Sequence, residues 1–200
     1  MKLVCLDLEG VLIPEIWKAI AHATGVEGLL RTTREEPCYD TLMRYRLELL
    51  KAHDIRLPLI QQTIDTLAPL EGAQAFISWL RSVAPVIILS DTFAQFATPL
   101  MRQLDFPTLF CHELVINSDG QILDYKLRQA DQKRHAVEAF RGLNFTVIAA
   151  GDSYNDLSMI QTAHHGVLFR PSEAFARENP AFPVCNDHRE FREVLTSLLE

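Results

Sequence analysis

Three short apolar runs in this 200-residue chain each end in polar residues suited to phosphoryl chemistry. Leu3-Val4-Cys5-Leu6 runs into Asp7-Leu8-Glu9-Gly10-Val11, and Val86-Ile87-Ile88-Leu89 runs into Ser90-Asp91-Thr92. Phe145-Thr146-Val147-Ile148-Ala149-Ala150 runs into Gly151-Asp152-Ser153-Tyr154-Asn155-Asp156, and Lys133 opens the helical pattern before it. Each residue type has a task. A carboxylate can attack phosphorus and split one hard transfer into two easier ones. Two carboxylates that would repel one another can share a Mg2+, a hard cation that takes oxygen ligands. Its charge screens an anionic nucleophile from an anionic phosphate. A lysine and a serine hydroxyl can hold the remaining phosphate oxygens. A second acid two residues beyond the first projects to the same side of an extended segment. There it can protonate a leaving oxygen and later deprotonate an acceptor.

For these residues to meet, the three runs must be neighbouring parallel strands, whose carboxyl ends converge. Short apolar runs without alternation read as strands buried on both faces. Gly166-Val167-Leu168-Phe169 is a fourth. Helical patterns cover residues 71–83, 93–104, 133–140, 155–163 and 187–199. Strands alternating with helices predict an α/β fold with a doubly wound, Rossmann-like parallel sheet. Residues 14–69 break the alternation. Ile16, Trp17 and Ile20, then Leu42, Met43, Leu47 and Leu50, then Ile60, Ile64 and Leu67 all follow helical spacing. Helices inserted directly after the first strand lie above the carboxyl ends of the strands, where they can act as a lid. The expected organisation is a core of residues 1–13 and 70–200 with a small helical cap, residues 14–69, inserted after the first strand. Asn117-Ser118-Asp119-Gly120, between Val115-Ile116 and Ile122-Leu123, reads as a β-hairpin turn.

Composition narrows the classes. Hydrophobic residues make up 48% and charged residues 22%, which excludes a disordered chain. Lys plus Arg number 19 against 26 Asp plus Glu, a formal charge of −7, so no nucleic-acid partner is expected. No apolar run approaches the ~18 residues of a membrane helix, and Asp7 comes too early for the apolar region of a secretory leader. A cytoplasmic location without membrane contact is expected. Cys5, Cys38, Cys111 and Cys185 stand far apart without metal spacing and are expected as reduced, buried thiols. His164-His165 lack a third ligand at metal spacing and read as surface or strand-entry residues. Trp17, Met43 and Phe93 read as packing.

The order Asp7-Leu8-Glu9-Gly10-Val11, Ser90, Lys133, Gly151-Asp152-Ser153-Tyr154-Asn155-Asp156, at spacings of 83, 43 and 19 residues, resembles the four motifs of the haloacid dehalogenase superfamily. The helical insertion, Leu70-Glu71-Gly72-Ala73 and the stretch from Asp40 to Lys51 resemble its phosphoserine phosphatase branch. The resemblance covers the chain to about Phe169. It implies Asp7 as nucleophile, Glu9 as acid/base, and Ser90 and Lys133 as a phosphate clamp. It also implies Mg2+ on Asp7, Asp152 and the backbone carbonyl of Glu9. Asp156 would support the metal's waters or orient Lys133. In that branch a cap glutamate takes the substrate's ammonium and a cap arginine its carboxylate; Glu15 and Arg46 stand at the matching places. Asp91, Thr92 and Asn155 are further expected substrate contacts.

Two departures refine the resemblance. Most relatives carry Asp where Glu9 stands, and phosphoserine phosphatases usually read Ser-Gly-Gly-Phe where this chain has Ser90-Asp91-Thr92-Phe93. Both departures resemble members of the branch that pass the phosphoryl group of L-phosphoserine to L-homoserine as well as to water. The implied activity is this phosphotransfer together with phosphoserine phosphatase activity; the alternative is a plain phosphoserine phosphatase or another small-molecule phosphatase of the superfamily. Structural duties compete with these roles. Glu9 could cap the following segment, Ser90 the helix near Phe93, and Asp156 could serve its helix dipole.

Overall fold

The alternation of β1 (Lys2–Leu6) decides where the core lies. Val4 and Leu6 face one side of the sheet, Leu3 and Cys5 the other, and all four are buried. Each pair joins a different apolar cluster, as the two-residue period of a strand requires. The computed structural model describes residues 1–32, 35–36 and 38–200. After β1 come α1 (Ile16–Thr24), a 3₁₀ turn (Glu27–Leu30), α2 (Tyr39–Ala52) and α3 (Leu57–Asp65). Then follow α4 (Ala73–Val83), β2 (Val86–Phe93), α5 (Ala94–Gln103), β3 (Thr108–Ile116), β4 (Ile122–Lys126) and α6 (Gln132–Gly142). The chain ends with β5 (Thr146–Gly151), a 3₁₀ turn (Tyr154–Asp156), α7 (Leu157–Thr162), β6 (His165–Phe169), α8 (Glu173–Glu178), β7 (Val184–Cys185) and α9 (His188–Leu199).

Among the described residues the strands form one seven-stranded sheet in the order β4-β3-β2-β1-β5-β6-β7. The β3–β4 hairpin is antiparallel, and the other neighbours are parallel. The expected doubly wound α/β fold is therefore present. β1 lies at the centre with β2 on one side and β5 on the other, the reversal at which such sheets open a crevice. Leu6 pairs with both Ile88 and Ala150, so the chain carries Asp7, Ser90 and Asp152 to one edge.

The ladder between β2 and β3 shifts between Leu89↔Phe110 and Phe93↔His112. Ser90, Asp91 and Thr92 there stand against one residue of β3, and a bulge of this kind re-aims side chains. These three residues lie inside the strand, which overturns Ser90 as a helix cap: α5 begins at Ala94, its N-cap is Phe93, and no side chain caps it. The stretch 155–163, expected as one helix, splits into the 3₁₀ turn and α7. β3 is nine residues long, of which the sequence pattern identifies only Val115 and Ile116. The expectation of buried thiols holds for Cys5 and Cys185, but Cys111 is half-buried and Cys38, just before α2, is exposed. His164 does serve strand entry, its Nδ1 accepting the Val147 N–H at 3.0 Å. No helix among the described residues is long and apolar enough to cross a membrane.

Helices α1 to α3 fill the stretch between β1 and α4. Their inner residues Ile16, Ile20, Met43, Leu47, Ile60 and Ile64 share one apolar cluster with Leu8, Val11, Phe93, Phe96 and Phe191. The two ends of this insertion meet where the Leu70 N–H donates to the Leu12 carbonyl at 2.9 Å. Helix α9 closes the neck from behind. His188 sets Nδ1 2.8 Å from the Glu71 carbonyl and Nε2 2.9 Å from the Val11 carbonyl, one on each side. Its ring packs on Phe76 and Phe169, which gives the chain beyond Phe169 a structural task. Replacing His188 by Leu leaves those carbonyls facing an apolar side chain and is expected to cost about 2 kcal/mol in urea unfolding. An unchanged unfolding midpoint would remove His188 from the neck.

Candidate active site

Asp7 leaves β1 at the centre of the sheet, its N–H held by the Ala150 carbonyl at 2.9 Å. Asp7, Asp152 and Asp156 each place one carboxylate oxygen within 4.8 Å of the others. Lys133, the second residue of α6, is buried, and its Nζ donates to Asp7 Oδ1 at 2.8 Å and to Asp156 Oδ1 at 2.7 Å. Asp156 Oδ2 accepts the backbone N–H of Asp152 at 3.0 Å and of Ser153 at 3.2 Å. Both Asp156 oxygens are thereby committed to Lys133 and the turn, while Ser153 completes a capping box. Only glycine fits beside these acids. A Cβ on Gly151 would fall 2.3 Å from the Asp156 side chain, and one on Gly10 (φ +79°) 2.6 Å from Asp152 Oδ2.

Three carboxyls face one ammonium. Burial first, and then the Asp156 charge, pushes the Asp7 carboxyl well above the usual range against the pull of Lys133. The same causes push Asp152 up to about 7. Burial works against the charge on Lys133, but Asp156, Asp7 and Asp91 outweigh it and hold the ammonium well above its ordinary value. A negative surplus on hard oxygen donors is a set that can hold a divalent cation such as Mg2+.

The Glu9 side chain stands apart from this cluster. Its Oε2 accepts the N–H of Ile16, the first residue of α1, at 2.8 Å. Burial raises the Glu9 carboxyl, and the Ile16 N–H and then the Thr92 side chain oppose the shift. Capping of the following segment, weighed above as a rival duty, is thus present at Glu9. Ser90 is buried, and its Oγ accepts the Thr92 N–H at 3.3 Å, which leaves its own proton for another acceptor. Asp91 accepts from Gln132 Nε2 at 3.2 Å and from Asn155 Nδ2 at 3.4 Å, and stands 3.5 Å from Lys133 Nζ. Burial pushes Asp91 up, yet Lys133, His112 and Gln132 together hold it below the usual carboxylate range.

Arg46 on α2 is only 7% exposed. Its Nη2 donates to the Arg31 carbonyl at 2.8 Å, and its guanidinium lies 4.5 Å over the Trp17 ring. The buried Arg46 Nε has no hydrogen-bond partner among the described residues; such orphan donors are rare in folded proteins. A cleft of about 980 Å³ gathers Asp7, Glu9, Arg46, Ser90, Lys133 and Asp152, ample for a small ligand. Thr92, Asp91 and Asn155 line it as well. Glu15 reaches its lip, partly exposed and paired with Lys18 at 2.7 Å. Trp17, expected as packing, both packs on Phe96 and lines the cleft.

Tyr39, His112 and Gln132 also line the cleft and were not singled out in the sequence. The Tyr39 hydroxyl donates to the Asp91 carbonyl at 3.0 Å. His112 lies on β3, the strand that the apolar pattern does not reveal. Gln132 did carry a signal, since it directly precedes Lys133 at the start of one helix.

A model of the haloacid dehalogenase-like hydrolase family matches residues 1–164. The chain belongs to that family. It is 52% identical over 192 residues to the phosphoserine phosphatase ThrH of Pseudomonas aeruginosa, covering 96% of this chain and 94% of that one. It is 50% identical over 193 residues to a phosphoserine phosphatase of Pseudomonas syringae pv. tomato, covering 96% and 81%. The solved phospho-aspartyl intermediate analogue of a phosphoserine phosphatase superposes with a TM-score of 0.80 at 24% identity, covering 98% of both chains. A substrate-bound phosphoserine phosphatase complex gives 0.80 at 23%, covering 98% and 97%. These two likenesses are of fold. As a haloacid dehalogenase-like hydrolase with such relatives, the chain is an enzyme of the phosphatase kind.

The acidic cluster has a consequence for pH. Folding raises the Asp152 carboxyl from an ordinary 3.8 to about 7, so between these values the native state holds a proton that the unfolded chain has released. Wild-type stability without metal therefore falls as pH rises through that window. In chelator-treated protein, Asp152→Asn should gain a few degrees of thermal midpoint over wild type between about pH 4 and 8. A gap that stays constant with pH would mean that Asp152 titrates as an ordinary carboxyl.

Proposed function

We propose that this enzyme takes the phosphoryl group of L-phosphoserine onto Asp7 and passes it to L-homoserine or to water, with Mg2+ as cofactor. The observation that carries the reading is one cleft lined both by Asp7 and Lys133 of the acidic cluster and by a buried Arg46 whose Nε–H has no partner among the described residues. A phosphate calls for cationic and hydroxyl donors and a carboxylate for a guanidinium; phosphoserine carries both anions. Relatives named phosphoserine phosphatase at 52% and 50% identity support this donor. Homoserine as acceptor rests on the departures at Glu9 and at Asp91-Thr92.

In the proposed cycle residues 14–69 act as the cap, and Arg46 takes the substrate carboxylate while Glu15 takes its ammonium. Thr92, Asp91 and Asn155 line the seat. Ser90 and Lys133 hold the phosphoryl oxygens. Asp7 attacks phosphorus as the serine oxygen departs, and Glu9, raised by burial, gives that oxygen its proton. Glu9, now a carboxylate, takes the proton of homoserine or water as that oxygen attacks phosphorus and frees Asp7. Bound by Asp7, Asp152 and the Glu9 carbonyl, with Asp156 behind them, Mg2+ would offset the repulsion between Asp7 and the phosphate. A seat built for serine also takes homoserine, because one methylene is worth only ~1–3 kcal/mol. The enzyme is read as cytoplasmic, with small-molecule partners.

The test uses purified protein, Mg2+ and L-phosphoserine, with and without L-homoserine, following phosphate and O-phosphohomoserine together. Phosphohomoserine is expected to form at the expense of phosphate; phosphate alone would leave a plain phosphatase. Asp7→Asn should lower turnover about 10³-fold or more, and near-normal turnover would end the aspartyl-phosphate reading. Glu9→Asp, one methylene short of the Ile16 N–H, is expected to shift products toward phosphate. An unchanged product ratio would sever Glu9 from acceptor choice.

A further inference from the structure

Arg128, in the loop before α6, orients two side chains at once. Its Nε donates to Gln132 Oε1 at 3.0 Å, and its backbone N–H donates to His112 Nδ1 at 3.1 Å. The first bond decides which end of the Gln132 amide is oxygen. The NH2 end must then face the cleft, where it donates to the Ser90 carbonyl and, at 3.2 Å, to Asp91 Oδ1. The second bond makes His112 Nδ1 an acceptor, so the neutral ring carries its proton on Nε2, 3.6 Å from the same Asp91 oxygen. Gln132 and His112 are both buried, so neither can exchange these partners freely for water.

Asp91 is a carboxylate 3.5 Å from the lysine that must also grip a phosphate. Free to turn, it would repel a phosphate dianion and compete for Lys133. Gln132 and His112 hold Oδ1 on the β3 side of the cleft, so that only Oδ2 faces Lys133 and Asn155. The same amide holds the Ser90 carbonyl, so one side chain sets two of the three residues of the bulge.

We propose that Gln132, oriented by Arg128, is a positioning residue that turns the Asp91 carboxylate away from the phosphate seat and keeps Ser90 and Lys133 available to phosphate. His112 is its second arm. The inference rests on the phosphoryl-transfer reading of the cleft but not on which phosphate ester is the substrate.

Inorganic phosphate is the probe, because it needs only the phosphate seat; its affinity is measured by titration calorimetry on the full chain with Mg2+. Gln132→Leu should weaken phosphate binding about tenfold, the worth of one hydrogen bond to a charged group. Adding Asp91→Gly to that variant should recover most of the loss, because the unpinned carboxylate is gone. A merely structural Gln132 would give a further loss on the second substitution. Arg128→Leu, outside the cleft, should weaken phosphate binding less and be rescued in the same way, which carries the test if Gln132→Leu does not fold. Unchanged affinity in both single variants, or a double variant that binds no better than its parent, overturns the proposal. A wild-type chain that binds phosphate but does not turn over L-phosphoserine removes the substrate reading alone, whereas one that binds no phosphate overturns both.

Discussion

Three carboxylates sharing one buried ammonium are the constraint to which the carboxyl edge of the sheet answers. Like charges a few ångströms apart in a poorly solvated place repel strongly, and each must be met by a partner or a hydrogen bond. Lys133 meets two of them, and two backbone N–H groups meet the far oxygen of Asp156. The local backbone follows from this. Glycine stands at 10 and 151 because a Cβ there would occupy the space of Asp152 and Asp156. What Lys133 leaves unbalanced is negative charge on oxygen, with burial raising the Asp7 and Asp152 carboxyls. The same imbalance that lowers the stability of the folded chain is one that a divalent cation on these oxygens would offset.

The helical insertion is bonded to the chemistry and does not merely cover it. The first N–H of α1 holds the Glu9 carboxylate, and the first residue of α2, Tyr39, donates to the Asp91 carbonyl within the bulge. Arg46, about two turns further along α2, faces the same cleft. On its outer side α2 is tied to the hairpin by Arg44 and Asp124 at 2.6 Å. Any displacement of α1 would break the bond that orients Glu9, and any displacement of α2 would loosen the segment that carries Ser90. Under the proposed reaction, seating of the insertion and alignment of Glu9 and Ser90 are therefore linked.

The strand ends were legible because buried parallel strands announce themselves as unbroken apolar runs, and the acids that close them stand out against that background. β1, β2, β5 and β6 are all of this kind. β3 is not: Cys111-His112-Glu113 interrupts its apolar character because the strand borders a polar cleft, so His112 stayed hidden with it. The place of Ser90 was legible but its local structure was not, since a bulge depends on the partner strand's register, which no single run encodes. The purpose of residues beyond Phe169 was illegible for a similar reason. His188 acts on carbonyls 117 and 177 residues away, and sequence spacing carries no trace of such a contact. Gln132 was missed although it sits beside Lys133, because an amide gains meaning only from the groups it bridges.

The two departures from the family pattern, at Glu9 and at Asp91-Thr92, lie where the insertion is hydrogen-bonded to residues that line the cleft. A glutamate reaches α1 where an aspartate is one methylene short, and Asp91 offers its carbonyl to α2 and its carboxylate to β3. Under the proposed reaction this bears on the choice of acceptor. Water needs no seat and can enter an open cleft, whereas homoserine must be held by its charged groups before its hydroxyl reaches the phosphoenzyme. A general base that is oriented only while α1 is in place is poorly aligned whenever the cleft stands open to water. It is aligned when the cap has closed on an acceptor that the cap itself has bound. Anchoring the base to the insertion thus disfavours hydrolysis without any group that repels water, and a shorter acid at position 9, free of α1, would lose that bias.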